Sequence, residues 1–220
     1  MDAAVARIGP NAVLQHLPVL DVEIGEALRG ALLHRAGIAE PPPDAGMLPE
    51  ADVACLHDAV RLYLPDRFSR IQRAAGLATG DYILAHRIPG PAQRLIRALP
   101  GWAGARLLSA AIARHAWTFA GSGHFRILTR MPLRFEIVGN PLATGPSDAP
   151  LCHWHAAVFE RLFARLVWPD IRVTEERCRA QGDDACVFVL RAGTGPAFGT
   201  PHPPSRVPNA GPVPARNPIF

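Results

Sequence analysis

At Gly121-Ser122-Gly123 the hydrophobic rhythm of the chain changes, and that change constrains the fold class more than any other feature. Upstream, apolar residues recur at helical spacing over residues 13–20, 24–35, 50–64 and 67–86, with a break at Pro41-Pro42-Pro43 closing the first unit. A further helix pair is expected over about 92–99 and 103–120. The second of these is rich in Ala and Gly, which let helices approach closely, and its expected core face carries Leu108, Ile112, His115 and Phe119. Periodicity leaves residues 81–86 open between helix and strand.

Downstream, residues 126–129 and 134–138 read as strands turned at Met131-Pro132, and a loop runs over 139–150. A helix over 153–167 then presents Val158, Phe159, Leu162, Phe163 and Leu166 as one apolar stripe. Strands over 171–179 and 185–190, turned at Gln181-Gly182-Asp183-Asp184, complete the pattern. The expectation is a single α+β domain over 1–192, with a helical N-terminal half (about 1–121) packed on a small antiparallel sheet of β-β-α-β-β order (about 124–192). Beyond Ala192 the chain is Pro- and Gly-rich without an acidic residue, so 193–220 is expected to be a disordered tail.

All 23 basic residues are arginine. With no lysine, a pyridoxal Schiff base, a P-loop phosphate contact and a lysine general base are excluded. The arginines form no basic run interleaved with aromatics, so a nucleic-acid partner is not expected. Residues 1–10 lack the charged start and apolar stretch of a secretory signal, and Arg106, Arg114 and His115 interrupt the most apolar helix candidate. The expected location is cytoplasmic, peripheral to a membrane at most. In that reducing setting clustered cysteines favour metal over disulfide.

Cys152, Glu175, Cys178 and Cys186 are spaced like the ligands of one ion. Three thiolates and a carboxylate complete a zinc tetrahedron without an open position, which holds a fold together rather than running a reaction. Three small buried hydrophobes are the competing reading. In a regular strand Glu176 would share a face with Cys178 while Glu175 pointed away, and a bulge near Arg177 would restore Glu175. Cys55, in the helical half, is expected to serve packing.

Three passages carry a family likeness: Arg7-Ile8-Gly9-Pro10-Asn11-Ala12, Ala113-Arg114-His115-Ala116-Trp117-Thr118-Phe119-Ala120-Gly121-Ser122-Gly123, and Glu175-Glu176-Arg177-Cys178 through Gly182 to Cys186. With them the chain from about residue 7 to 190 resembles the bacteriochlorophyll-biosynthesis branch of the 4-vinyl-reductase domain family. The last passage is similar also to small-ligand sensor and vesicle-tethering domains of that fold. In the sensor relatives this pattern binds structural zinc, which implies Cys152, Glu175, Cys178 and Cys186 as its ligands here.

The resemblance further implies a role at reduction of the 8-vinyl group (4-vinyl in older naming) of a divinyl chlorophyllide-type or protochlorophyllide-type tetrapyrrole. The sequence holds no G-x-G-x-x-G after a strand and no cysteine set left for an iron–sulfur cluster, so a reductase would use an external donor such as NADPH. The alternative is a tetrapyrrole carrier without redox chemistry that assists a separate reductase. For such a ligand, His115, His124, His153 and His155 are candidate axial donors to magnesium. Trp117, Phe119, Phe125 and Trp154 are candidate walls of a flat apolar pocket, and Arg114 and Arg126 candidate partners of propionates. Each has an ordinary reading as core, surface or ion-pair residue. Other bacteriochlorophyll-biosynthesis enzymes and a second copy of the chain are the expected partners.

Overall fold

The structure, a computed structural model, describes residues 5–191. The expected tail at 193–220 lies outside the described residues.

The helical half forms as the spacing requires. Helices α1 (Asn11–Leu14), α2 (His16–Ile24) and α3 (Glu26–Arg35) cover the first two expected segments, with Gly25 at φ +83° turning the chain between α2 and α3. Helix α4 (Glu50–Tyr63) carries Glu50 and Asp52 in its first turn, where the helix dipole favours negative charge. A 3-10 turn at Pro65–Arg67 leads into α5 (Phe68–His86), which continues through residues 81–86 and decides them as helix. Helices α6 (Gly90–Ala98) and α7 (Gly101–Arg114) form a hairpin.

Here the structure departs from the expected helix over 103–120. Helix α7 ends at Arg114, His115 leaves helical geometry at φ −107° and ψ 14°, and a four-residue helix α8 (Trp117–Ala120) follows. Leu108 and Ile112 are buried as expected, but the break turns His115 out into solvent instead of onto the core face. A two-residue pair also forms between β1 (Arg7–Ile8) and β2 (Leu48–Pro49), too short to leave a trace in periodicity.

The sheet half matches the expected β-β-α-β-β order. Strands β3 (His124–Arg130), β4 (Leu133–Val138), β5 (Arg172–Arg177) and β6 (Ala185–Arg191) lie in the order β3-β4-β6-β5, antiparallel throughout. Helix α9 (His153–Leu166) lies between α5 and this sheet. Its expected stripe meets the sheet, with Phe159 within 5.2 Å of Phe135 and 5.5 Å of Phe188, ring centroid to ring centroid. Its other side is buried too, because α5 approaches closely at glycines. A Cβ on Gly80 would lie 2.6 Å from that of Arg161, and one on Gly76 would lie 2.7 Å from that of Ala157. Buried Glu160 on α9 is ion-paired with Arg73 at 2.5 Å and accepts the Val173 N–H at 3.0 Å, tying helix to sheet.

Two of the three likeness passages meet. The Gly9 N–H donates to the Thr118 carbonyl at 2.8 Å, and a Cβ on Gly9 would sit 2.9 Å from that oxygen. Glu50 accepts from the Ser122 N–H at 2.7 Å and the Ser122 hydroxyl at 2.8 Å, holding the Gly121-Ser122-Gly123 loop where the chain passes from helix to sheet.

Candidate metal centre and the pigment passage

Four separate segments deliver the donors. Cys152 caps the N-terminus of α9, Glu175 lies on β5, Cys178 follows β5, and Cys186 lies on β6. On β6, Cys186 pairs with Ile137 and shares with Phe188 the sheet face turned to α9. The β5–β6 register runs Glu175↔Phe188 and then Arg177↔Val187, so Glu176 is the extra residue of a bulge. That bulge sets Glu175 beside the cysteines. Glu176 instead pairs with Arg134 at 3.4 Å and Arg191 at 2.5 Å on the surface, and these arginines hold its carboxyl below the usual range, Arg191 most.

The donor atoms all lie within 4.8 Å of one another, and the Cys152 and Cys186 sulfurs are 3.4 Å apart. Zinc–sulfur bonds of about 2.3 Å in a tetrahedron place sulfurs about 3.8 Å apart, so closure on an ion needs only a small expansion. The surrounding hydrogen bonds leave one acceptor unpaired. Glu175 Oε2 accepts the Cys152 N–H at 2.8 Å, while buried Oε1 has no hydrogen-bond partner. Asn140, fully buried, donates its side-chain N–H to the Cys152 sulfur at 3.2 Å and accepts the Leu142 N–H at 3.0 Å. Donation to sulfur suits a thiolate ligand. The Cys178 N–H donates to Asp183 at 2.9 Å, and Gly182, at φ +95°, turns the chain back toward Cys186.

Without a cation the cluster resists full ionisation. Burial, and then the charge on Cys178, push Glu175 up to about 8. Burial pushes Cys152 up as well, whereas Cys178 is pulled down by S–H donation from Cys152 and then Cys186. One negative charge is therefore shared among groups that a divalent ion would let ionise together. Donor type, spacing and the unpaired oxygen all fit zinc. A cleft of about 480 Å³ bordered by Arg70, Arg73, His153 and Glu175 opens beside the cluster, so the carboxylate side is less closed than the sequence implies.

The pigment candidates are placed differently. His115 and His124 are exposed, Trp117 is 57% exposed, and Arg126 lies on the outer side of the sheet with its guanidinium paired to Glu136 at 2.5 Å. Phe119 is half-buried among Phe125 and Phe159 at 5.4 and 5.6 Å. These five do not converge on one point, and none borders the cleft beside Glu175. Trp154 is interior, its indole N–H donating to the Thr79 hydroxyl at 3.2 Å, and His153 packs edge-on against Phe68. Cys55 is exposed, against the expectation of packing, because it falls on the solvent side of α4.

Residues 133–192 match the 4-vinyl-reductase domain, a stretch that starts with β4 and contains all four donors. The bacteriochlorophyll synthase 23 kDa chain of Cereibacter sphaeroides is 57% identical over 189 residues, covering 86% of this chain and 92% of that one. Its namesake from Rhodobacter capsulatus is 52% identical over 184 residues, covering 84% and 86%. This chain belongs to the bacteriochlorophyll synthase 23 kDa chain family. Among solved structures, the Fe(II) unliganded H-NOX protein from K. algicida superposes with a TM-score of 0.55 at 9% identity, covering 87% of this chain and all of that one, which is a likeness of fold.

Two features of this 23 kDa-type chain escaped sequence reasoning. One is Asn140, whose only signal was its place in a Gly-Asn-Pro turn. The other is a buried histidine set around Trp154: His16 and His57 lie 4.6 Å apart, His57 lies 6.0 Å from Trp154, and His155 lies 4.9 Å from Trp154, ring to ring. His16 is hydrogen-bonded to Gln72, His57 to the Ala12 carbonyl and His155 to the Phe119 carbonyl, each at 3.2 Å. Burial drives all three down, His16 and His155 to about 4. His155, a candidate axial ligand by sequence, is thus a neutral core residue.

Proposed function

We propose that this chain serves bacteriochlorophyll biosynthesis by binding a divinyl chlorophyllide-type tetrapyrrole at the step that reduces its 8-vinyl group. Identity above half, over most of both chains, to proteins named as the 23 kDa chain of bacteriochlorophyll synthase carries this reading. In it the chain presents the tetrapyrrole to a separate reductase. The buried cysteines converge with Glu175 on a single centre, and the sequence supplies no dinucleotide motif. A second reading, in which the chain itself reduces the vinyl group with NADPH, rests on the resemblance to the 4-vinyl-reductase branch. The proposed tetrapyrrole contacts are His115, Trp117, Phe119, His124 and Arg126.

Zinc is the proposed occupant of Cys152, Glu175, Cys178 and Cys186. When bound it neutralises the thiolates and joins α9 to the β5–β6 hairpin, a structural task. The chain acts in the cytoplasm as a homodimer, alongside other bacteriochlorophyll-biosynthesis enzymes.

The test mixes purified protein with divinyl chlorophyllide, with and without NADPH, and follows the pigment spectrum and products. A spectral shift without ethyl product is expected for the binding component. Catalytic conversion with NADPH would transfer the assignment to the reductase, and an unchanged spectrum would remove the tetrapyrrole from both readings.

A further inference from the structure

Between Asp81 and Glu136 the chain contains no acidic residue and eight arginines. The stretch builds the end of α5, the α6–α7 hairpin, α8 and the edge strand β3. Arginines elsewhere, such as Arg29, Arg61, Arg67, Arg70, Arg73 and Arg161, find carboxylates. Within the stretch only Arg126 and Arg134 do so. Arg87, Arg94, Arg97, Arg106, Arg114 and Arg130 are exposed and make no ion pair among the described residues.

The same surface leaves large apolar side chains in water. Helix α6 buries Ile96 alone and exposes Leu95 to 56%. Helix α7 buries Gly104, Ala105, Leu108, Ser109 and Ile112 on one side, and on the other presents Trp102, Arg106 and Leu107, with Trp102 69% exposed. Strand β3, packed along α7, adds Ile127 and Leu128. Unpaired arginines among exposed tryptophan and leucine suit a bilayer interface, where an indole ring lies at headgroup depth and arginine runs its stem along the apolar boundary toward a phosphate. The uniform sign matches an anionic leaflet, whereas a protein surface of ordinary mixed charge would leave part of it unpaired. No described helix is long and apolar enough to cross a membrane, so the contact is peripheral.

We propose that the α6–α7 hairpin is a docking surface for an anionic lipid bilayer, with Leu95, Trp102 and Leu107 entering the headgroup region and Arg94, Arg97 and Arg106 meeting lipid phosphates. It needs no pigment and stands apart from the tetrapyrrole reading.

The test sediments the full chain with phosphatidylglycerol–phosphatidylcholine vesicles and with phosphatidylcholine vesicles alone. Binding to the anionic vesicles only is expected, released by salt of about 0.5 M. Lipids brominated near the headgroup should quench tryptophan emission in the unmodified protein and less in Trp102→Phe. The double variant Arg94→Glu/Arg106→Glu should bind about tenfold or more weakly. Equal binding to neutral vesicles, no binding to either, or undiminished binding and quenching in these variants would overturn the proposal. Self-association abolished by Arg94→Glu/Arg106→Glu without vesicle binding would also overturn it, reassigning the hairpin to a second copy of the chain.

Discussion

The cysteine cluster and the passage from Arg114 to Arg126 hold most of the side chains with chemistry to offer, and they are built in opposite ways. In the cluster, donors from four segments point inward to within 4.8 Å, and backbone N–H groups, Asn140 and Asp183 fix their positions. In the passage, neighbours in sequence diverge: His115, Trp117 and His124 face solvent, Phe119 turns into the aromatic core, and Arg126 spans to Glu136. Convergence in the interior fits a task of stability. A dispersed, exposed set fits contact with something outside the chain.

If that contrast is right, removing a donor should unfold the C-terminal half while changes in the passage leave the fold intact. Cys178→Ser should abolish zinc binding and lower unfolding free energy by about 4 kcal/mol or more, read from urea titrations with zinc present. A wild-type midpoint would break the comparison.

The histidine set offers a second lever on stability that does not involve the cluster. His16, His57 and His155 are neutral in the fold and take up a proton near pH 6.5 once unfolded, so their contribution is fully present above about 6.5 and is lost as pH falls toward 4. Between pH 6.5 and 5.5 the loss should be about 2–3 kcal/mol for the three together. Melting curves of the Cys178→Ser variant should keep that slope, since it does not arise at the metal. A slope that vanishes with Cys178 would merge the two regions.

Asn140→Ala should weaken zinc binding by about tenfold with little change in the apo protein, measured by competition with a chromogenic chelator. The smallest effects belong to the surface. Trp117→Ala and Glu176→Gln should each change stability by no more than about 0.5 kcal/mol in thermal melts, while Glu175→Gln should cost zinc affinity. Loss of zinc from Glu176→Gln would reverse the assignment made by the bulge.

What sequence reveals follows the range of the forces involved. The strand–strand–helix–strand–strand order was legible because burial against one helix imposes clear periods on β4, α9 and β6. The donor set was legible because ligand chemistry restricts residue type, and even the bulge could be stated as a condition on Glu175. The end of α7 at Arg114 was not, since Ala116 to Ala120 continues the helical spacing and the stop depends on Gly9 bonding to Thr118 from the far end of the chain. The buried histidines gave no signal, because His16 and His57 are ordinary members of helical patterns until α1, α4, α5 and α9 close around them. Cys55 misled for the complementary reason: cysteine is usually interior, and here α4 turns it outward.

Elemental analysis of freshly purified protein tests the central claim most directly. One zinc per chain is expected in the wild type and in Glu176→Gln, and none in Cys178→Ser; wild-type protein that is fully folded yet free of bound metal would contradict it.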